Sequence, residues 1–198
     1  MEQLSLGIYG SGKLGTAIAK RAVSVGLDVV FALKHFNQTN VYHCPKTGFE
    51  FAPPSVIANK DLILLAIPIN NLDTLESTFF KGKTVIDAMN HWPPEIEESE
   101  EWPLQEVDTS SLVQEFLSEA KVVKTLNHIS YHDLYRNDKN GQRKQTLMMA
   151  GDDLKAKQLV RRFIEAIDFE LIDIGPLQEG IHLQPGGKFF GVDFKREN

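Results

Sequence analysis

Leu4-Ser5-Leu6-Gly7-Ile8-Tyr9-Gly10-Ser11-Gly12-Lys13-Leu14-Gly15 is the stretch whose reading decides the fold. An apolar run from Leu4 to Tyr9 leads straight into a G-x-G-x-x-G. Leu14, Ala17, Ile18, Ala22 and Val25 then recur at helical spacing. The pattern is strand, glycine turn, helix. Three glycines are needed for three reasons: Gly10 permits the tight turn, Gly12 lets a pyrophosphate approach the backbone, and Gly15 lets the helix pack close to the sheet. The free N–H groups and positive dipole end of the helix would receive the pyrophosphate. Gly10, Ser11, Gly12, Lys13, Leu14 and Gly15 are therefore the candidate dinucleotide turn. A purely structural glycine turn is the weaker alternative, because the required strand precedes the motif and the required helix follows it.

Working outward, the helix over about 13–25 ends at Gly26, a good C-terminal cap. Asp28 to Leu33 reads as a second buried strand. Sites for NAD place a carboxylate after this strand to bind the ribose 2′-OH, whereas sites for NADP place a cation there. The chain reads Leu33-Lys34-His35, so Lys34, helped by His35, is the candidate for a 2′-phosphate, against the alternative of an ordinary solvated lysine. Residues 37–54 are polar and turn-rich, with a short strand expected around Phe49 to Phe51. The adjacent His43 and Cys44 do not make a tetrahedral metal site without further ligands at suitable spacing.

Asp61 to Ile67 is the most continuous apolar strand, as expected in the middle of a parallel sheet. By the rule for open α/β sheets, its end (Ala66, Ile67, Pro68, Ile69, Asn70) faces the cofactor cleft. Thr84 to Asp87 is the next strand, with Ala88, Met89, Asn90 and His91 at its tip. These two tips are expected to wall the nicotinamide side. The segment 91–108 carries Trp92, Trp102 and an acidic run that reads as solvated. Ser111-Leu112-Val113-Gln114 resembles a capping box opening a helix. Lys121 to Leu126 is a further strand, ending in Asn127-His128-Ile129-Ser130-Tyr131-His132. Gln145 to Ala150 is a strand, Gly151-Asp152-Asp153 caps an amphipathic helix, and Glu170 to Ile174 is the last strand.

Composition bounds the rest. The chain of 198 residues reads as one domain, 1–198, with a small strand-helix-strand extension over about 145–198. Its formal net charge of -6 argues against a nucleic-acid partner. No stretch has the length of a membrane span, and the first residues do not read as a signal peptide, so a cytoplasmic location is expected. The lone cysteine, Cys44, excludes an intrachain disulfide.

These motifs together resemble the NADPH-dependent F420 reductases, also called F420-dependent NADP oxidoreductases, and their single-domain relatives. The resemblance rests on Ile8 to Gly15, Leu64-Leu65-Ala66-Ile67-Pro68, Val85 to Asn90, and Val122 to Asn127. It extends to Ala150-Gly151-Asp152-Asp153 with Ala156, and to Asp173-Ile174-Gly175-Pro176-Leu177. It implies a Rossmann-type, doubly wound, mostly parallel sheet, often in a homodimer. It further implies NADP at the glycine turn, and a deazaflavin such as F420, or a flavin, stacked over the nicotinamide for hydride transfer. Members usually have Ser-Arg where this chain has Leu33-Lys34, so the charge is kept while a hydroxyl and the bidentate fork are lost.

The expected function is hydride transfer between NADP(H) and a flat small-molecule partner. Asn127, His128, Ile129 and His91 are the candidate acceptor-facing residues. If the acceptor is a carbonyl, His128 and His132 are the candidate proton donors, since histidine titrates near neutrality. The alternative is a non-catalytic sensor of NADP(H). A hydroxyacid or ketopantoate-type dehydrogenase is disfavoured, because too few residues follow for the large helical domain those enzymes carry.

Overall fold

The structure, a computed structural model, describes residues 4–33, 41–91, 108–135 and 145–192. Among the described residues nine strands form one sheet: β1 (Ser5–Tyr9), β2 (Asp28–Ala32), β3 (Tyr42–His43), β4 (Glu50–Ala52), β5 (Leu62–Leu65), β6 (Thr84–Asp87), β7 (Lys121–Lys124), β8 (Thr146–Gly151) and β9 (Glu170–Asp173). Their order is β3-β4-β2-β1-β5-β6-β7-β8-β9. Only the β3–β4 and β7–β8 pairs are antiparallel. The chain leaves β1 toward β2 on one side and returns to β5 on the other. That reversal is the topological switch point where open α/β sheets bind ligands.

Register aligns the strand tips in one row. Ala32 pairs with Tyr9, Tyr9 with Leu65, Leu65 with Asp87, and Asp87 with Lys124. The turns after β1, β5, β6 and β7 therefore emerge side by side.

Alternation along the strands feeds two cores. On β5, Leu62 and Leu64 pack on one face with α1 (Lys13–Ser24) and the helix Leu154–Ala166, whose Val160, Phe163 and Ile164 are fully buried. Ile63 and Leu65 pack on the other face with Ile57, Phe80, Val113 and Leu117. The α-helices among the described residues are α1, α2 (Pro54–Ile57), α3 (Thr109–Phe116), α4 (Tyr131–Tyr135) and α5 (Leu154–Ala166), with 3-10 segments at Ile69–Thr74, Ser77–Phe80 and Leu177–Leu183.

Local chemistry moved one boundary. The helix expected to open at Ser111 begins at Thr109, because Asp108 is its cap and accepts from Ser110 N. Gln114 serves the chain beyond the helix instead: its amide donates to Leu117 O and Ala120 O and accepts from Val122 N. Asp153 caps α5 by accepting from Ala156 N, as the sequence suggests. Gly26 sits at φ +82 beyond α1. The segment 92–107, with Trp92, Trp102 and the acidic run, lies outside the described residues.

Candidate functional site

The glycine turn can be tested position by position. Gly10 holds φ +106, and a Cβ there would overlap the Ala66 carbonyl. A Cβ on Gly15 would overlap the carbonyl of Gly10, so helix and turn touch backbone to backbone. Gly12 differs: a Cβ there would meet nothing within 4 Å. Two glycines are thus demanded by the fold, while the third faces open space beside the start of α1. That helix start has no side-chain cap and no acidic residue in its first turn. The first helical N–H groups have no carbonyl one turn earlier to bond, which suits an anion. These residues fit a dinucleotide diphosphate.

Two cavities flank the turn and share Ile67. The larger, of about 550 Å³, is lined by Gly12, Lys13, Leu14, Ala66, Ile67, Pro68, Ala88, Met89, Asn90, Asn127, His128 and Ile129. The smaller, of about 400 Å³, takes Gly10 and Ser11 together with Tyr9, Ala32, Leu33 and Glu76. Gly15 is buried behind the turn. Asn70 is exposed and lies on neither wall; its neighbour Asn71 lines the smaller cavity. His91 and the exposed His132 also lie off both walls. Lys34 and His35 lie outside the described residues, and Leu33 just before them lines the smaller cavity.

Sequence reasoning missed part of the larger wall. Tyr131 belongs to it, with Lys13 Nζ 5.1 Å above its ring centroid. Phe190 and Gly191 reach it from the C-terminal segment, where Gly191 N donates to His128 O at 3.0 Å. No periodicity marks that segment, and no local pattern says that it folds back.

The polar end of the wall is held by a hydrogen-bonded clamp. Asn90 Nδ2 donates to Asn127 O at 2.8 Å, and Asn127 Nδ2 donates to Asn90 Oδ1 at 3.0 Å and to Leu183 O at 2.6 Å. Leu126, just before, takes the left-handed φ of +67, which turns the chain at the tip of β7. Beneath lies a buried ion pair. Asp87 Oδ2 accepts from Lys124 Nζ and Ser110 Oγ, and Asp87 Oδ1 accepts from Met89 N.

His128 is 3% exposed, and its Nε2 accepts from Met148 N at 3.1 Å. Burial, aided by the Lys124 charge, pushes its pKa down to about 3. The expectation that this histidine titrates near neutrality is thereby corrected: the ring is neutral, with its proton on Nδ1. Among the described residues no group of three or more His, Cys, Asp or Glu is arranged to hold a metal ion. No described helix is long and apolar enough to cross a membrane.

An open α/β sheet with a glycine turn at its switch point defines the Rossmann class. Residues 5–91 match the family model described as NADP oxidoreductase, coenzyme F420-dependent. Among solved structures, it resembles a hypothetical protein from Sinorhizobium meliloti, with TM-score 0.77 and 19% identity over 99% of this chain and 97% of that one. It also resembles a candidate F420-dependent NADP reductase from Arthrobacter sp. FB24, with TM-score 0.73 and 20% identity over 98% of this chain and 100% of that one. It is 26% identical over 178 residues to metalloreductase STEAP3 of Rattus norvegicus. That match covers 89% of this chain and 35% of the relative's length.

Proposed function

We propose that the chain binds NADP(H) across the glycine turn and passes a hydride between its nicotinamide and a flat redox partner. The observation that carries this reading is the open face of Gly12 between two cavities that meet at Ile67. The diphosphate would lie on the start of α1. The adenosine half would fill the smaller cavity beside Leu33, with Lys34 next in sequence as the candidate cation for a 2′-phosphate. The nicotinamide half would enter the larger one.

The dinucleotide supplies the hydride chemistry; the chain supplies position. Ala66, Ile67, Pro68, Ala88 and Met89 would form the wall on which the ring rests and would exclude water. Asn90, Asn127, His128 and Ile129 would face the partner. Neutral His128 offers a hydrogen bond rather than a titrating proton, which suits ring-to-ring hydride transfer without an acid. F420 or a flavin would be the flat partner facing this largely apolar wall. The kinship with a metalloreductase adds a ferric chelate as a partner worth testing. A homodimer accompanies the family resemblance as part of this proposal.

The test is NADPH oxidation, followed at its absorbance band, with F420, FMN, FAD, quinones and a ferric chelate. Oxidation by one or more of them supports the reading. Firm NADPH binding with no oxidation by any would favour the sensor instead.

A further inference from the structure

The two cavities beside the glycine turn differ in charge. Among the described residues, Lys13 is the one charged side chain lining the larger, and Glu76 the one lining the smaller. A cation next to a diphosphate is expected. A carboxylate in the adenosine cavity is not, because the phosphates of NADP already bring negative charge and like charges repel. Glu76 therefore needs a ligand group that rewards an acceptor.

Three observations turn the carboxylate toward this cavity. Glu76 is exposed and lines the wall from beyond β5, between the 3-10 segments Ile69–Thr74 and Ser77–Phe80. Thr78 Oγ1 donates to Glu76 Oε1 at 2.8 Å, which steadies the group, and Oε2 accepts no hydrogen bond among the described residues. Burial, and then the charge of Glu76, push the Tyr9 phenol above its ordinary pKa, and Tyr9 lines the same cavity. The rest of the wall is largely apolar, with Ala32, Leu33, Pro54, Leu75 and Phe79 suited to the faces of a flat base.

A carboxylate accepts hydrogen bonds and donates none. The ribose 2′ position falls to the chain that follows β2. Glu76 stands on a different segment and meets what is left of the adenosine, its base. Adenine presents an exocyclic amine, whereas hypoxanthine and guanine present a carbonyl oxygen at that position. We propose that Glu76 Oε2 accepts from the exocyclic amine of adenine and so selects adenine dinucleotides over keto-purine ones. The carboxylate rewards the amine and repels the carbonyl, so one group supplies both halves of the discrimination. The proposal rests on the dinucleotide reading above.

Calorimetric titration of the wild-type chain compares NADP+ with nicotinamide hypoxanthine dinucleotide phosphate, in which a carbonyl replaces the amine. NAD+ and its hypoxanthine form make a second pair without the 2′-phosphate. The adenine form should bind about fivefold or more tightly in each pair, as a hydrogen bond to a charged group implies, and a smaller ratio in the pair that binds overturns the proposal. Glu76→Gln changes an exposed side chain and keeps its shape. Its amide oxygen accepts from an amine or, turned over, its nitrogen donates to a carbonyl, so the ratio should fall below about threefold. A ratio that stays above this value overturns the role of Glu76. A variant that shifts the preference between NADP+ and NAD+ while the base ratio persists would place the carboxylate at the ribose and also overturn it. Failure of the wild-type chain to bind NADP+ or NAD+ removes the dinucleotide reading itself, and the proposal with it.

Discussion

Lys124 Nζ stands 3.1 Å from Asp87 Oδ2, with both side chains fully buried, and the same ammonium donates to Met89 O at 2.6 Å. The pair joins the tips of β6 and β7 and anchors the backbone of Met89, a wall residue of the larger cavity. Removing one member of such a pair strands the other charge in the interior. Lys124→Met should therefore lose about 3–5 kcal/mol of stability. Asp87→Asn/Lys124→Met should be more stable than Lys124→Met alone. Urea unfolding of the single and double variants checks this; purely additive losses would deny the coupling.

The glycine turn predicts a split between folding and binding. Gly10→Ala and Gly15→Ala place a Cβ against backbone carbonyls and should destabilise the chain by more than about 1 kcal/mol, Gly10 doubly so because of its positive φ. Gly12→Ala meets open space and should leave the melting temperature nearly unchanged. Its methyl would occupy the approach of the diphosphate, so NADP+ affinity should fall about tenfold or more. Melting curves beside calorimetric titrations separate the two effects.

How far these features were legible follows from what carried them. β1, the turn and α1 are local: one apolar run, three glycines and one helical stripe suffice. The all-apolar run of β5 placed that strand centrally, because a strand covered on both faces shows no alternation, and β6 followed as the next strand. Their tips, from Ala66 to Pro68 and from Ala88 to Asn90, followed from strand direction alone, and the structure puts these residues on the larger cavity wall. What was hidden is non-local or competitive. At α3, Asp108 and Ser111 are both acceptable caps, and only the structure shows that Asp108 takes the role. The Asn90–Asn127 clamp joins residues 37 apart in sequence. His128 read as an ordinary titrating histidine because burial cannot be seen in a turn sequence.

His128 gives the stability a defined pH dependence. Its folded pKa lies at about 3, below the unfolded value of 6.5. Between these limits the unfolded chain binds the proton and the folded chain does not, so stability falls as the pH drops from 6.5 toward 3, by at most about 1.4 kcal/mol per pH unit. Above that window this residue adds no slope. Denaturant unfolding at pH 7 and 5 should show a smaller difference in His128→Gln than in the wild type; an equal difference would show that His128 stays accessible to protons when folded.

Lys34 follows a residue of the smaller cavity, and the sequence assigns it to the 2′-phosphate. Lys34→Glu should lower NADP+ affinity about tenfold or more, the loss of a charged contact worth about 1.5–3 kcal/mol, while sparing NAD+. An unchanged ratio of the two affinities would show that another group reads the phosphate.

A crystal structure of the chain with NADP+ tests the central claim most directly. The account predicts the diphosphate against the backbone of Gly12 and Lys13 at the start of α1, the adenosine beside Leu33, and the nicotinamide in the cavity walled by Met89 and Asn127. Density for the dinucleotide elsewhere on the sheet, with Gly12 still facing solvent, would contradict it.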